Sequence, residues 1–271
     1  MDCFPLSFSE ALILSLVIHS STKLVCLLTL LFFPSGLIAA DGDVAELTKR
    51  GDMLDRQLKT SEALAQFMAA DRLQPNDAEI LYRIAKQHGL SMTDYSRKDE
   101  KIAAGQKALE YSKKAVAADP KNAKAHLSLA ISYGRIASFL DNKTKISYSK
   151  LVKEEVDTAL ALDATDDLSY HVLGVWHYEL ANLNGLLRAI AQVVYGKLPA
   201  ASNEEAVKNL KKACELAPAK VANQIELGRA YAAMKQVDLA RASLNRGLSL
   251  PSREKDDGET KQRGRAALKG L

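Results

Sequence analysis

Cysteine is nearly absent from this chain. Three occur in 271 residues, and two of them, Cys3 and Cys26, lie in an apolar leader. Cys214 is left alone, so neither a disulfide framework nor a thiolate metal site can be assembled from the remainder. It reads as a small buried hydrophobe. Proline is scarce at 7 residues and aromatics make up 6%. Beside plentiful Ala and Leu, this favours helices over a β-rich fold. The net charge of +4 is too small to point to nucleic acid as a partner. No Gly-rich phosphate loop or nucleophile elbow occurs, and no His pair stands with a carboxylate at metal spacing. His171 and His177 are six positions apart, on nearly opposite faces of a helix, and cannot share a metal. Asp163, Asp166 and Asp167 crowd one turn, where helix capping accounts for them. No catalytic residue, metal site or cofactor site is legible, and an enzyme is not expected.

The leader allows two readings. Residues 11–18 (ALILSLVI) and 24–33 (LVCLLTLLFF) are apolar, with Lys23 between them and the small Ala39 and Ala40 behind. A cleaved secretory signal fits that order, although Asp2 and Glu10 do not suit its positive start. A membrane anchor through residues 11–40 is the rival. Its stretch Leu24 to Ala40 has 17 residues, broken by Pro34 and Gly36, at the lower edge of spanning length. Residues 1–40 stand outside the globular fold on either reading. The first gives a secreted or periplasmic protein, the second a membrane-anchored protein with a cytosolic domain.

What the chain has in quantity is a repeat. Gly51, Ala63, Phe67 and Pro75 are spaced 12, 4 and 8. That is the tetratricopeptide pattern, a pair of antiparallel helices in about 34 residues. The small residues let helix A and helix B approach, the larger Phe67 fills the gap toward the next repeat, and Pro75 ends helix B. Gly228, Ala240 and Leu244 repeat the 12 and 4 spacing, with Tyr231 at the aromatic position and Pro251 one residue early. Three further helix B signatures lie between: Ala108–Ser112–Pro120, Val152–Val156–Ala164 and Ala206–Leu210–Pro218. Helix A signatures ILYRIAKQH, AHLSLAISY and YHVLGVWHY precede them.

The end markers at 75, 120, 164, 218 and 252 give steps of 45, 44, 54 and 34. Against a unit of about 34, the central repeats carry about 11, 10 and 20 extra residues, all between helix A and helix B. Lengthened helices would absorb them. The expected fold is all-α: a tetratricopeptide-like solenoid of about five helix pairs over residues 41–251. Residues 252–271 would form a C-terminal capping helix.

Binding features are better marked than chemistry. The longest insertion follows the only Trp, and its inner part LLRAIAQVVYG carries one charge, Arg188. A surface loop would be polar, so this segment either packs on neighbouring repeats or lines an apolar groove around residues 186–195 for a lipid chain or partner helix. Tyr133, Trp176, Tyr178, Asn182, Leu187, Arg188 and Val194 are the candidate groove residues. On that view Trp176→Ala weakens binding without unfolding the chain. Charge is uneven too. Arg83 to Lys153 holds fifteen Lys and Arg against six Asp and Glu, and widening to 77–157 reduces the balance to +4. Arg97, Lys98, Lys101, Lys143 and Lys145 form a candidate basic patch for an acidic protein or anionic lipid surface, unless they are ordinary solvated helix faces.

The segment YHVLGVWHYELANLNGLLRAIAQVVYGKLPAASNEEAVKNLKKACELAP, with the insertions before it, resembles the regulator of microtubule dynamics proteins. The likeness runs from roughly Ala45 to Leu268. It implies a non-enzymatic, tetratricopeptide-like protein. Some members associate with microtubules, others tether organelle membranes and bind phospholipid. The expected function is a helical-repeat scaffold presenting a concave, partly basic surface to a protein partner, with tubulin as candidate. A phospholipid-binding or lipid-transfer module is the alternative. A secreted location would be at odds with tubulin.

Overall fold

The structure is a computed structural model that describes residues 35–271, with side chains from residue 42 onward. The signal-or-anchor reading of residues 1–40 falls largely on residues 1–34, outside the described residues, and its last six residues belong to a helix that begins at Ser35. No helix among the described residues is long and apolar enough to cross a membrane.

Five helix pairs follow one another: α1 (Ser35–Arg56) with α2 (Thr60–Leu73), and α3 (Ala78–Ser91) with α4 (Lys98–Ala118). Next come α5 (Ala123–Ala137) with α6 (Asn142–Leu162), α7 (Asp167–Ala181) with α9 (Asn203–Leu216), and α10 (Val221–Ala233) with α11 (Val237–Ser249). Helix α8 (Gly185–Tyr195) is inserted within the fourth pair, and α12 (Asp257–Lys269) follows the fifth. The fold is the expected all-α tetratricopeptide-like solenoid.

Local chemistry starts the first helix of several pairs. Asp77, Asn122 and Asp166 each precede such a helix and accept a hydrogen bond from a first-turn amide: Ile80 N at 3.0 Å, Ala125 N at 3.0 Å and Ser169 N at 2.7 Å. These amides have no partner within the helix, and the caps satisfy them. Asp163 accepts from Thr165 N at 2.8 Å in the same turn. Asp167 instead reaches the next repeat and pairs with Lys220 at 3.0 Å.

Packing explains the repeat spacing. A Cβ added at Gly51 would stand 2.4 Å from the Phe67 ring, and at Gly174 or Gly228 it would stand 2.6 Å from Leu210 or Leu244. Each large side chain lies in a notch that glycine leaves in its own repeat, beside a fully buried Ala63, Ala206 or Ala240. The sequence pointed Phe67 toward the next repeat. It does both, since Ile80 and Ile84 of α3 join the same cluster. Successive A helices also touch, α3 with α5, α5 with α7 and α7 with α10, whereas the B helices do not pack on one another among the described residues. The row therefore bends with its A helices on the concave side.

The extra residues are used in two ways. In the second and third repeats they lengthen helix B, so α4 and α6 each have 21 residues against 14 in α2. In the fourth they build α8 as a separate helix, which differs from the expected lengthening. The reason is local: α7 stops at Asn182, the Asn184 side chain caps a new helix by accepting from Leu187 N at 2.9 Å, and Gly196 ends it at φ +74°. That left-handed backbone suits glycine. At the far end α12 packs on α10 and α11. Ile225 is wedged between Gly247 and Gly264, where added Cβ atoms would approach its Cδ1 to 2.7 and 2.5 Å. The helix covers the apolar face of the last repeat, as a solenoid end requires.

Candidate functional site

Helix α8 is an apolar strip with two different faces. It contains no acidic residue and one cation, Arg188. Ala191 is fully buried and Leu187, Ile190, Val194 and Tyr195 are partly buried. The helix packs against α6, where the Tyr195 hydroxyl lies 3.1 Å from Ser149 Oγ. On the outward side Leu186 is 65% exposed and Val193 82% exposed, the highest values for large apolar side chains among the described residues. The two stand seven residues apart, two helical turns, with the exposed Ala189 between them. They make one stripe facing solvent.

The basic candidates lie at the starts of α4 and α6, and α8 packs against α6. The Lys101 ammonium sits 5.7 Å from the Phe139 ring in the turn before α6, which brings the two helix starts together. Lys98, Lys143 and Lys145 are exposed, and no carboxylate lies within ion-pair distance of them among the described residues. Arg97 pairs with Asp99. Cations in a first helical turn oppose the helix dipole and weaken the helix slightly. Lys98, Lys143 and Lys145 stand in first turns without a partner carboxylate among the described residues.

The aromatic candidates lie elsewhere. Tyr133 and Trp176 are only 7% and 5% exposed and pack with Leu129, Val152, Val156 and Leu180 in the interior between the third and fourth repeats. The Trp176 indole donates to the Ser149 carbonyl at 2.8 Å, and the Tyr133 ring meets Tyr148 edge-on at 4.9 Å. Tyr178 is half-buried beneath the Arg229 guanidinium, 4.6 Å from its ring. Asn182 donates to the Tyr178 carbonyl and to Asn203 Oδ1, both at 2.7 Å. Arg188 donates to the Ala181 carbonyl at 3.2 Å. These side chains join α7 to α8, α9 and α10 instead of lining one open groove, and Leu187 and Val194 lie on the inward side of α8. The sequence marked residues 186–195 as an apolar segment but did not single out Leu186 and Val193 as its outward stripe. Two adjacent stripes with the same seven-residue spacing run along α8, and only the position of α6 decides which one is covered.

A cavity of about 410 Å³ lies between α1 and α3, lined by Asp52, Glu79, Arg83 and their neighbours. A second, of about 540 Å³, lies between Tyr170 and the polar side of α9. Neither is lined by a residue of α8. Burial lowers the His171 and His177 imidazoles below their ordinary range and pushes the Cys214 thiol up to about 11. The thiol is therefore protonated and unreactive at neutral pH.

Residues 47–271 match the family model for regulator of microtubule dynamics proteins 1–3. A regulator of microtubule dynamics protein 1 of Mus musculus is 26% identical over 239 residues, covering 88% of this chain and 78% of that protein. Its Caenorhabditis elegans counterpart is 29% identical over 182 residues, covering 67% and 80%. Among solved structures, a thermophilic tetratricopeptide-repeat protein of Thermus thermophilus superposes with a TM-score of 0.58 at 19% identity, over 83% of this chain and 98% of the other. That likeness concerns the fold alone. The chain belongs to the regulator of microtubule dynamics family.

Proposed function

We propose that this protein is a non-enzymatic scaffold that docks on an acidic protein surface, with tubulin as the partner its relatives' name suggests. It would use the edge formed by Lys98, Lys101, Lys143, Lys145 and the outward stripe of α8. The observation that carries this reading is the group of unpaired lysines at two adjacent helix starts, where they cost the helices stability and face no carboxylate of their own chain. Leu186 and Val193, on the helix that packs against α6, would supply apolar contact. Unpaired cations together with an exposed apolar strip combine electrostatic steering with area to bury.

The test is co-sedimentation of the full chain with microtubules over a salt series. Wild type should pellet, and less so as salt rises, because exposed charges are screened. Lys98→Glu/Lys143→Glu/Lys145→Glu should lose affinity by about tenfold or more, equivalent to about 1.4 kcal/mol or more. Equal binding by wild type and the triple variant would remove the lysine edge from the interface.

A second reading draws on the apolar stripe. An amphipathic helix with exposed aliphatic residues and basic neighbours also suits an anionic lipid surface. Sedimentation with phosphatidylserine-containing vesicles, in place of microtubules, would favour it.

A further inference from the structure

Residues 250–256 join α11 to α12 and touch parts of the chain far away in sequence. Lys255 Nζ donates to Asp94 Oδ2 at 2.5 Å, in the turn after α3, and to Thr60 Oγ1 at 2.9 Å, at the start of α2. Asp256 Oδ2 accepts from Arg135 Nη2 at 2.8 Å, near the end of α5. The segment is held in shape at its base, where Asp257 Oδ2 accepts from Arg253 N at 2.7 Å and Glu254 N at 2.8 Å. Two side chains, Lys255 and Asp256, thus span from the end of the fifth repeat to the first, second and third.

A solenoid repeat ordinarily contacts only its neighbours. This segment is an exception, and it crosses the side on which the A helices lie. Beyond Leu250, which packs on the last repeat, polar contacts hold it there. Its contacts are ion pairs and one hydroxyl, with Asp94, Arg135 and Asp256 partly open to solvent. Such pairs are weak individually and screened by salt. The A-helix contacts also thin out from α3–α5 to α5–α7 and α7–α10.

We propose that Lys255 and Asp256 form a clasp that holds the solenoid closed, and that a carboxylate-rich partner releases it by taking the cation which Asp256 now occupies, Arg135. The clasp is an intramolecular competitor, favoured because it is tethered. Opening exposes further cations to the partner on the concave side. The release step rests on the acidic-partner reading above. The closed state does not.

The test is a distance measurement by double electron–electron resonance on the full chain. Its native cysteines are replaced by Ser and spin labels are placed at the exposed positions 62 in α2 and 259 in α12. At low salt one narrow distance is expected. It should lengthen and broaden by several ångströms in Lys255→Glu, recover in Asp94→Lys/Lys255→Glu, and lengthen in the unmodified clasp when polyglutamate is added. Polyglutamate should also bind several-fold more tightly to Asp256→Asn than to wild type, and Arg135→Gln should remove that gain. Because α12 is anchored through Ile225, thermal unfolding of the clasp variants should stay cooperative. A distance unaffected by Lys255→Glu would overturn the clasp itself. A distance that responds to Lys255→Glu but not to saturating polyglutamate would overturn release by carboxylates. Failure of polyglutamate to bind any form would overturn release together with the acidic-partner reading.

Discussion

Gly174→Val is expected to lower the melting midpoint by about 10 °C, from an overpacking cost of about 3 kcal/mol and about 2–4 °C per kcal/mol in a chain of this size. A Cβ at this position would stand 2.6 Å from Leu210 Cγ and 3.2 Å from the Ala206 carbonyl oxygen. Leu210 is fully buried and cannot retreat without opening the fourth repeat. Leu210→Ala alone leaves a cavity and should cost about 2–5 kcal/mol. The double variant Gly174→Val/Leu210→Ala should cost less than the sum of the two, since the added and removed volumes meet in one place. Thermal and urea unfolding of the four proteins, followed by circular dichroism, checks this. Strictly additive losses would mean that the notch and its knob do not form a unit. Solenoids unfold along the row, so hydrogen exchange should show the loss concentrated in α7, α9 and α10.

Trp176→Ala should be the most costly aromatic truncation, at about 3–5 kcal/mol. Its indole is nearly fully buried, touches the cluster built by α5, α6 and α7, and donates to Ser149 O. Trp176→Phe keeps most of the ring and loses the hydrogen bond, a change of about 1 kcal/mol before any cavity is counted. Ser149 also meets Tyr195, so loosening this cluster should unseat α8. A loss of partner binding in Trp176→Ala would then report a displaced helix and not a lost contact. Melting of the Ala and Phe variants separates the cases. An unchanged midpoint in Trp176→Ala would contradict the interior placement.

The fold was legible because its information is periodic. Gly51, Ala63 and Phe67 state in three positions that one helix carries a notch and the next a knob, and the same spacing returns at Gly228, Ala240 and Leu244. Cap residues such as Asp77 and Asn122 mark the starts. The site was less legible, for three physical reasons. A buried Trp and an exposed Trp look alike in sequence, and Trp176 is buried because α6 offers a carbonyl at the right depth. Whether twenty extra residues extend a helix or found a new one depends on the cap at Asn184 and the stop at Gly196, each decided by a single side chain or dihedral. Lastly, the clasp contacts between Lys255, Asp94 and Thr60 join residues more than 160 positions apart, and no local pattern encodes such a closure.

Central to the functional reading is that the outward stripe of α8 belongs to the binding face. Leu186→Ser/Val193→Ser tests it most directly, because both side chains are exposed and their removal should change stability by no more than about 0.5 kcal/mol each. Microtubule co-sedimentation of this variant, beside its melting curve, is the measurement. The expected result is an unchanged melting midpoint with affinity reduced by about tenfold. Wild-type affinity in a variant that melts normally would contradict the placement of the binding face on α8.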